Sequence, residues 1–414
     1  MASEFSITLL AVLVPLVLWL LNRTCSISHS TFQVLTMLCI GWEAGTILYM
    51  HAAFDTARMA IYLSAAVIFS TFCVVLGQWG SKRSSTLLDE PLVVLGLCLA
   101  ALCGPAPVNR YFLIGLFAFA AFSLYRSKLS ATRKTIGLAQ AAIAIVLISV
   151  SFWGGDSFDG SAGLFLAVTL VPLPPFHVLF TSLVGSARGM LSGVWTVTFL
   201  SLGLVEIHNL QTVIPVETEI HVAIAFLALL GGLYACLKCL GQNQIHVLLT
   251  YAAIVQAALL WGLTTVFSSF SEWGVPFGIT IGLVMSGLLI AYAFVQQRYG
   301  LHPIGNLPGL ASPMPRLGTL VGLLISIAVL LPIIPIFGGI TTMPATENQG
   351  GSLVIISLLF VGVWMFGSWH FSHVLHHTLF GKARSDIPYT DLRVAEICSL
   401  ALIIFGASFS ILIN

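Results

Sequence analysis

The chain has 414 residues, of which 58% are hydrophobic and only 7% charged, and its net charge is +1. Soluble domains carry about 25% charged residues, so a water-facing globule is excluded, and so is binding to nucleic acid through a basic surface. Eight scattered Cys do not form a disulfide framework, and the apolar runs are continuous rather than alternating, which points to an all-α integral membrane protein rather than a barrel.

A helix crosses the hydrocarbon core with about 20 apolar residues. Runs of this kind predict fourteen spans, over roughly 6–21, 32–50, 59–77, 91–106, 109–125, 136–153, 161–180, 189–208, 219–240, 246–267, 273–297, 316–340, 352–374 and 392–412. The first run has no Lys or Arg before it and no small-residue cleavage site after it, so it is expected to remain as a span and not to act as a signal peptide. The fourth and fifth are separated by Gly104-Pro105-Ala106-Pro107.

Basic residues concentrate on the cytoplasmic side of a membrane protein. Of the 16 Lys and Arg, all except Arg58 and Arg110 fall in odd-numbered connections: Arg23, Lys82, Arg83, Arg126, Lys128, Arg133, Lys134, Arg188, Lys238, Arg298, Arg316, Lys382, Arg384 and Arg393. Asp156, Asp159, Glu217, Glu219, Glu272 and Glu347 fall in even ones. This split supports fourteen spans with both termini on the non-cytoplasmic side, and the Ala-rich composition with modest Phe and Ile suits a bacterial cell inner membrane. The loops are too short for a soluble domain, so any cofactor or catalytic site is expected on another polypeptide.

Two spans carry prolines that free backbone groups inside the membrane. The seventh contains Val171-Pro172-Leu173-Pro174-Pro175-Phe176-His177, and the twelfth contains Leu331-Pro332-Ile333-Ile334-Pro335 followed by Ile336-Phe337-Gly338-Gly339. They lie five spans apart, so they run in opposite directions. Interrupted helices at matching places in two halves point to inverted repeats, and ordinary proline kinks are the alternative.

Three segments carry a resemblance. The run from Gln242-Asn243-Gln244-Ile245-His246 to Tyr251 and Gln256 resembles the Q-N-D-I-K-R-x-L-A-Y-S-T-x-S-Q signature of antiporter-like membrane subunits. That superfamily comprises the L, M and N subunits of NADH–quinone oxidoreductase, the large Mrp antiporter subunits and the DabB subunit of inorganic carbon uptake systems. Asn306-Leu307-Pro308-Gly309-Leu310-Ala311 through Arg316-Leu317 is similar to its D-L-x-G-L-A-R-R-M-P-R-L segment, and Pro175-Phe176-His177 to its P-F-H-x-W-L-P. Their order and spacing cover nearly the whole chain.

The resemblance implies about fourteen transmembrane helices. They would form an N-terminal three-helix segment (1–90), two inverted five-helix repeats (91–208 and 219–374) with broken helices 7 and 12, and a C-terminal helix (392–414). It also implies an ion-translocating role inside a larger complex, with a short M-type outline. The superfamily keeps ionisable groups at the midplane, at positions near Ala120, Thr169-Leu170, Trp195, Met285-Ser286 and Gly338 to Thr342 here; none of these is charged in this chain.

The remaining ionisable groups are the candidates for an ion pathway. Glu43 lies mid-span in the second run, and an intramembrane carboxylate is a functional hypothesis by default; a packed, hydrogen-bonded Glu is the alternative. His177 sits in the break of span seven, and histidine titrates near neutrality; it would otherwise plug freed carbonyls. Lys238 at the end of span nine either feeds the core or snorkels to the headgroups. Glu206, with His208, ends span eight as an exit or an interfacial group, and His246 replaces the signature's lysine. His370, His373 and His376 fall along one helical face, next to His377, as a histidine-lined entrance or a weak metal-binding signal. Cys236 and Cys239 form a C-x-x-C inside an apolar helix and read as packing; no metal or cofactor site is expected.

Three functions remain open: an antiporter-like subunit moving protons or another cation, with no catalytic site of its own; a DabB-type subunit partnered by a large DabA-type zinc protein; and a scaffold that has lost the pump residues. All three require partner subunits, quinone-reductase-like in the first case, as well as the lipid bilayer.

Overall fold

The computed structural model describes residues 2–25, 27–54, 58–79, 86–105, 108–154, 156–187, 189–213, 219–264, 267, 270–300, 308–333, 350–386 and 388–412. They form fifteen α-helices in chain order: α1 (Ala2–Cys25), α2 (His29–Phe54), α3 (Arg58–Gly77), α4 (Thr86–Cys103), α5 (Val108–Arg126), α6 (Ala131–Gly154), α7 (Asp156–Leu170), α8 (Val178–Ser186), α9 (Leu191–Val213), α10 (Glu219–Leu240), α11 (Ile245–Leu263), α12 (Phe270–Tyr299), α13 (Pro315–Leu330), α14 (Gly350–Val374) and α15 (Val394–Leu412). Ten helices, some trimmed at their ends, are long and apolar enough to cross a membrane, and three shorter stretches are also apolar. The chain is a multi-pass membrane protein.

The broken seventh span is α7 and α8, separated by turns over residues 171–177. The twelfth span begins as α13 and leaves the helix at Leu331 and Pro332; Pro335 lies outside the described residues. Most helices outlast their apolar runs, although α10 matches its run and α11 and α15 fall short of theirs. The fourth begins at Thr86 rather than 91, because Asp89 is buried and accepts a hydrogen bond from Asn22 Nδ2 of α1 at 2.6 Å. A paired carboxyl is tolerated where an unpaired one would end the span.

Five spans on, the neighbours repeat. In one set α4 lies against α5 and α9, α5 against α6, α6 against α7, and α7 against α9. In the other, α10 lies against α11 and α14, α11 against α12, α12 against α13, and α13 against α14. The interior is held by α11, buried continuously from Leu248 to Leu263, and by α12, buried from Phe277 to Val295 apart from one half-buried residue, Ile279. At 30 residues, α12 is about 45 Å long, longer than the hydrocarbon core.

Candidate functional site

The site is built on the break of span seven. Proline has no N–H and cannot serve the carbonyl four residues before it. Pro172 leaves Val168 O, which instead accepts from Leu173 N at 3.0 Å. Pro175, which follows Pro174 through a cis peptide bond, leaves Val171 O, and the indole Nε1 of Trp261 on α11 donates to it at 3.2 Å. Gln140 of α6 spans the break: its Nε2 donates to Phe176 O and to Thr169 Oγ1, and its Oε1 accepts from Leu179 N at 3.0 Å. Helix α10 reaches Pro174 through Gly231, where a Cβ would stand 2.8 Å from the proline Cδ.

His177 caps this break at the start of α8. It is buried, and its Nδ1 has no hydrogen-bond partner. Its ring lies 5.9 Å from that of Tyr234 on α10 and 6.1 Å from that of Tyr251 on α11. The exposed Lys238 holds its ammonium 5.6 Å from the Tyr234 ring centroid, near enough for its charge to act on His177. At the other end of α8, His246 lies beside the Gly185 carbonyl. The nine residues of α8 make it about 13 Å long, with His177 at its start and His246 beside its last turn. Ser182, on α8, presents a buried hydroxyl with no partner. The structure therefore places His177 near Lys238 at one end of α8 and His246 at the other.

The break of span twelve is served in the same manner. Pro332 leaves Ala328 O, which accepts from Gln256 Nε2 of α11 at 3.2 Å. The next carbonyl, Val329 O, accepts from Trp364 Nε1 of α14 at 2.8 Å.

The histidine run differs from its expected single face. Beyond Val374 the chain forms a π-helical turn, Leu375–Leu379, closed by Phe380 N donating to Leu375 O. The wider turn rotates His376 off the face. His373 instead meets His377, with ring centroids 4.3 Å apart, and His376 meets His377 at 5.0 Å. His370 is fully buried with neither nitrogen partnered, His373 is half-buried, and His376 and His377 are exposed.

Glu206 is not at a helix end. Helix α9 continues to Val213, and Glu206 is buried inside it, paired with Arg110 of α5 at 3.1 Å. Glu43 stands apart from the other candidates, in the corner formed by α2, α3 and α4. Cys236 and Cys239 are buried, and their thiols point at the Val363 and Leu248 carbonyls. The sequence reading missed Gln140, Gln256, Trp261 and Trp364. Lone amides and indoles in apolar helices carry a signal, since such groups seek partners on neighbouring helices, but the partner is not written in the sequence.

No family model matches this chain, and no curated protein does. Solved structures do. A chain of respiratory complex I from Thermus thermophilus, with bound NADH, superimposes with a TM-score of 0.75 at 16% identity, covering 96% of this chain and 94% of that one. The fold is theirs in common. A chain of the Mrp complex from Dietzia sp. DQ12-45-1b gives 0.75 at 11% identity, over 99% and 95%. A chain of the membrane-bound sulfane sulfur reductase, an archaeal respiratory membrane complex, gives 0.71 at 13%, over 97% and 75%.

Proposed function

We propose that this chain is a membrane subunit of a multi-subunit complex and passes protons along α8 between His177 and His246. The observation that carries the reading is His177 itself: a buried imidazole in the break of a membrane span, one nitrogen without a partner, between two tyrosines and within reach of an ammonium. Imidazole changes charge near neutral pH, and a nitrogen without a fixed partner is free to take or give a proton. Tyr251 of α11 sets its ring 6.1 Å from that of His177 and supplies a hydroxyl for the route, and the midplane lysines and glutamate of the resembling family are not needed for it.

Partners are part of the reading. The three chains that share this fold belong to a respiratory complex, an Mrp complex and a membrane-bound reductase, and membership of such an assembly in a cell inner membrane is proposed here, with the basic end of the molecule cytoplasmic.

One observation favours a second reading, a non-conducting scaffold. Gln140, Trp261, Gln256 and Trp364 fill the freed carbonyls with neutral side chains, which leaves those carbonyls little need of water. Proton flux into vesicles holding the purified complex separates the two. The proton reading expects uncoupler-sensitive flux that drops at least tenfold in His177→Ala and His246→Ala while assembly is unchanged. Absence of flux in the unaltered complex supports the scaffold, and full flux in both variants removes α8 as the route.

A further inference from the structure

The α2–α3–α4 corner holds a charge-bearing group that the α8 route does not use. Glu43 has no solvent exposure, and neither carboxyl oxygen has a hydrogen-bond partner. Cys39 lies one turn before it on α2, and Cys103 at the end of α4 is also close enough to feel its charge. The Cys103 thiol contacts Ser64 Oγ of α3 at 3.1 Å. Among the described residues no Lys, Arg or His forms an ion pair with the carboxyl.

An ionised carboxylate in that position would be a buried charge with neither a counter-ion nor a donor, which costs several kcal/mol even after relaxation. A bound metal does not resolve this: two thiols, one hydroxyl and one carboxyl are a poor set for a hard cation, which requires six or more oxygens, and no group of three metal-ligating side chains is present among the described residues. A proton resolves it with no ligand beyond the carboxyl.

We infer that Glu43 is a proton-binding site of the N-terminal helices, separate from α8, and that its carboxyl is protonated and exchangeable at neutral pH. The route assigned for exchange is the pair Ser64 and Cys103, which contact each other and reach the carboxyl only when the helices move, since neither bonds it at rest. Cys103 is half-buried at the end of α4. Nothing in this inference depends on His177 or on transport.

Infrared spectroscopy of the purified complex tests it. The carbonyl stretch of a protonated carboxylic acid is expected at pH 7 in the unaltered protein, shifted in D2O, and absent from E43Q. Raising the pH should convert that band into carboxylate stretches in the unaltered protein, a readout that requires no variant. If E43Q fails to assemble, E43D should move the same band rather than remove it. A spectrum of E43Q identical to that of the unaltered protein overturns the inference, and so does an acid band that D2O does not shift.

Discussion

Gln256 and Trp261 sit five residues apart on α11, and each donates into a different broken span: Gln256 to Ala328 O before Pro332, and Trp261 to Val171 O before Pro175. One buried helix thus supports both interruptions. The neighbour pattern of the helices repeats five spans on, but this support does not, since both donors come from the second set of helices. The remaining donors are Gln140 for the first break and Trp364 for the second. Any movement of α11 along its axis is felt at both breaks together.

Removing either α11 donor leaves a buried carbonyl without a partner, which costs about 1–3 kcal/mol. Trp261→Phe and Gln256→Leu are each expected to lower the unfolding temperature of the complex in detergent. Unchanged melting curves for both would show that the breaks are held by other contacts.

Gln140 makes bonds on both sides of the span-seven break, so its replacement should matter more than that of either α11 donor. Gln140→Leu is expected to cost more than Trp261→Phe in the same melts. Gln140→Glu should be no better than Leu, because a carboxylate oxygen would face the Phe176 carbonyl in place of an N–H donor.

The Arg110–Glu206 pair has its carboxylate buried and its guanidinium 24% exposed. Arg110→Met should cost about 3 kcal/mol, the low end for breaking a buried pair, while the double variant with Glu206→Leu recovers most of that loss. A double-mutant cycle on thermal unfolding reads the coupling, and simple additivity of the two variants would contradict it.

Gly309 has φ +71°, and a Cβ there would stand 2.6 Å from both Ala383 N and Gly381 O. The N–H groups of Gly309, Leu310 and Ala311 donate to the carbonyls of Phe380, Thr378 and Leu379, so this turn closes the end of the π-helical segment. Gly309→Ala should destabilise by at least about 1 kcal/mol through backbone strain alone and increase protease cutting over 380–390. Gly41→Ala is the contrast, an open helical site with nothing within 4 Å, where gains of up to about 1 kcal/mol are expected.

Much of the fold was legible because the bilayer imposes it. A span must be long, apolar and internally hydrogen-bonded, so the apolar runs located the helices and the prolines located the break of span seven, over 171–177, and the point at which α13 leaves the helix, at Leu331 and Pro332. Ends were less legible. The fourth run was begun at 91, past Asp89, and Glu206 was taken to end span eight, yet both residues are buried inside helices and paired, with Asn22 and Arg110. The histidine run was read on ideal α-helical spacing, and the π turn at Leu375 changed which rings meet.

By itself the sequence determined that this is a helical membrane protein with an interrupted seventh span and a twelfth that leaves the helix at its first proline, because composition and proline placement act locally and need no partner. Tertiary structure alone decided what fills those interruptions and what surrounds His177 and Glu43. A freed carbonyl is satisfied across space, by Trp261 ninety residues from Val171 and by Gln256 seventy-two from Ala328. A buried acid or imidazole takes its character from helices that meet only when the bundle closes.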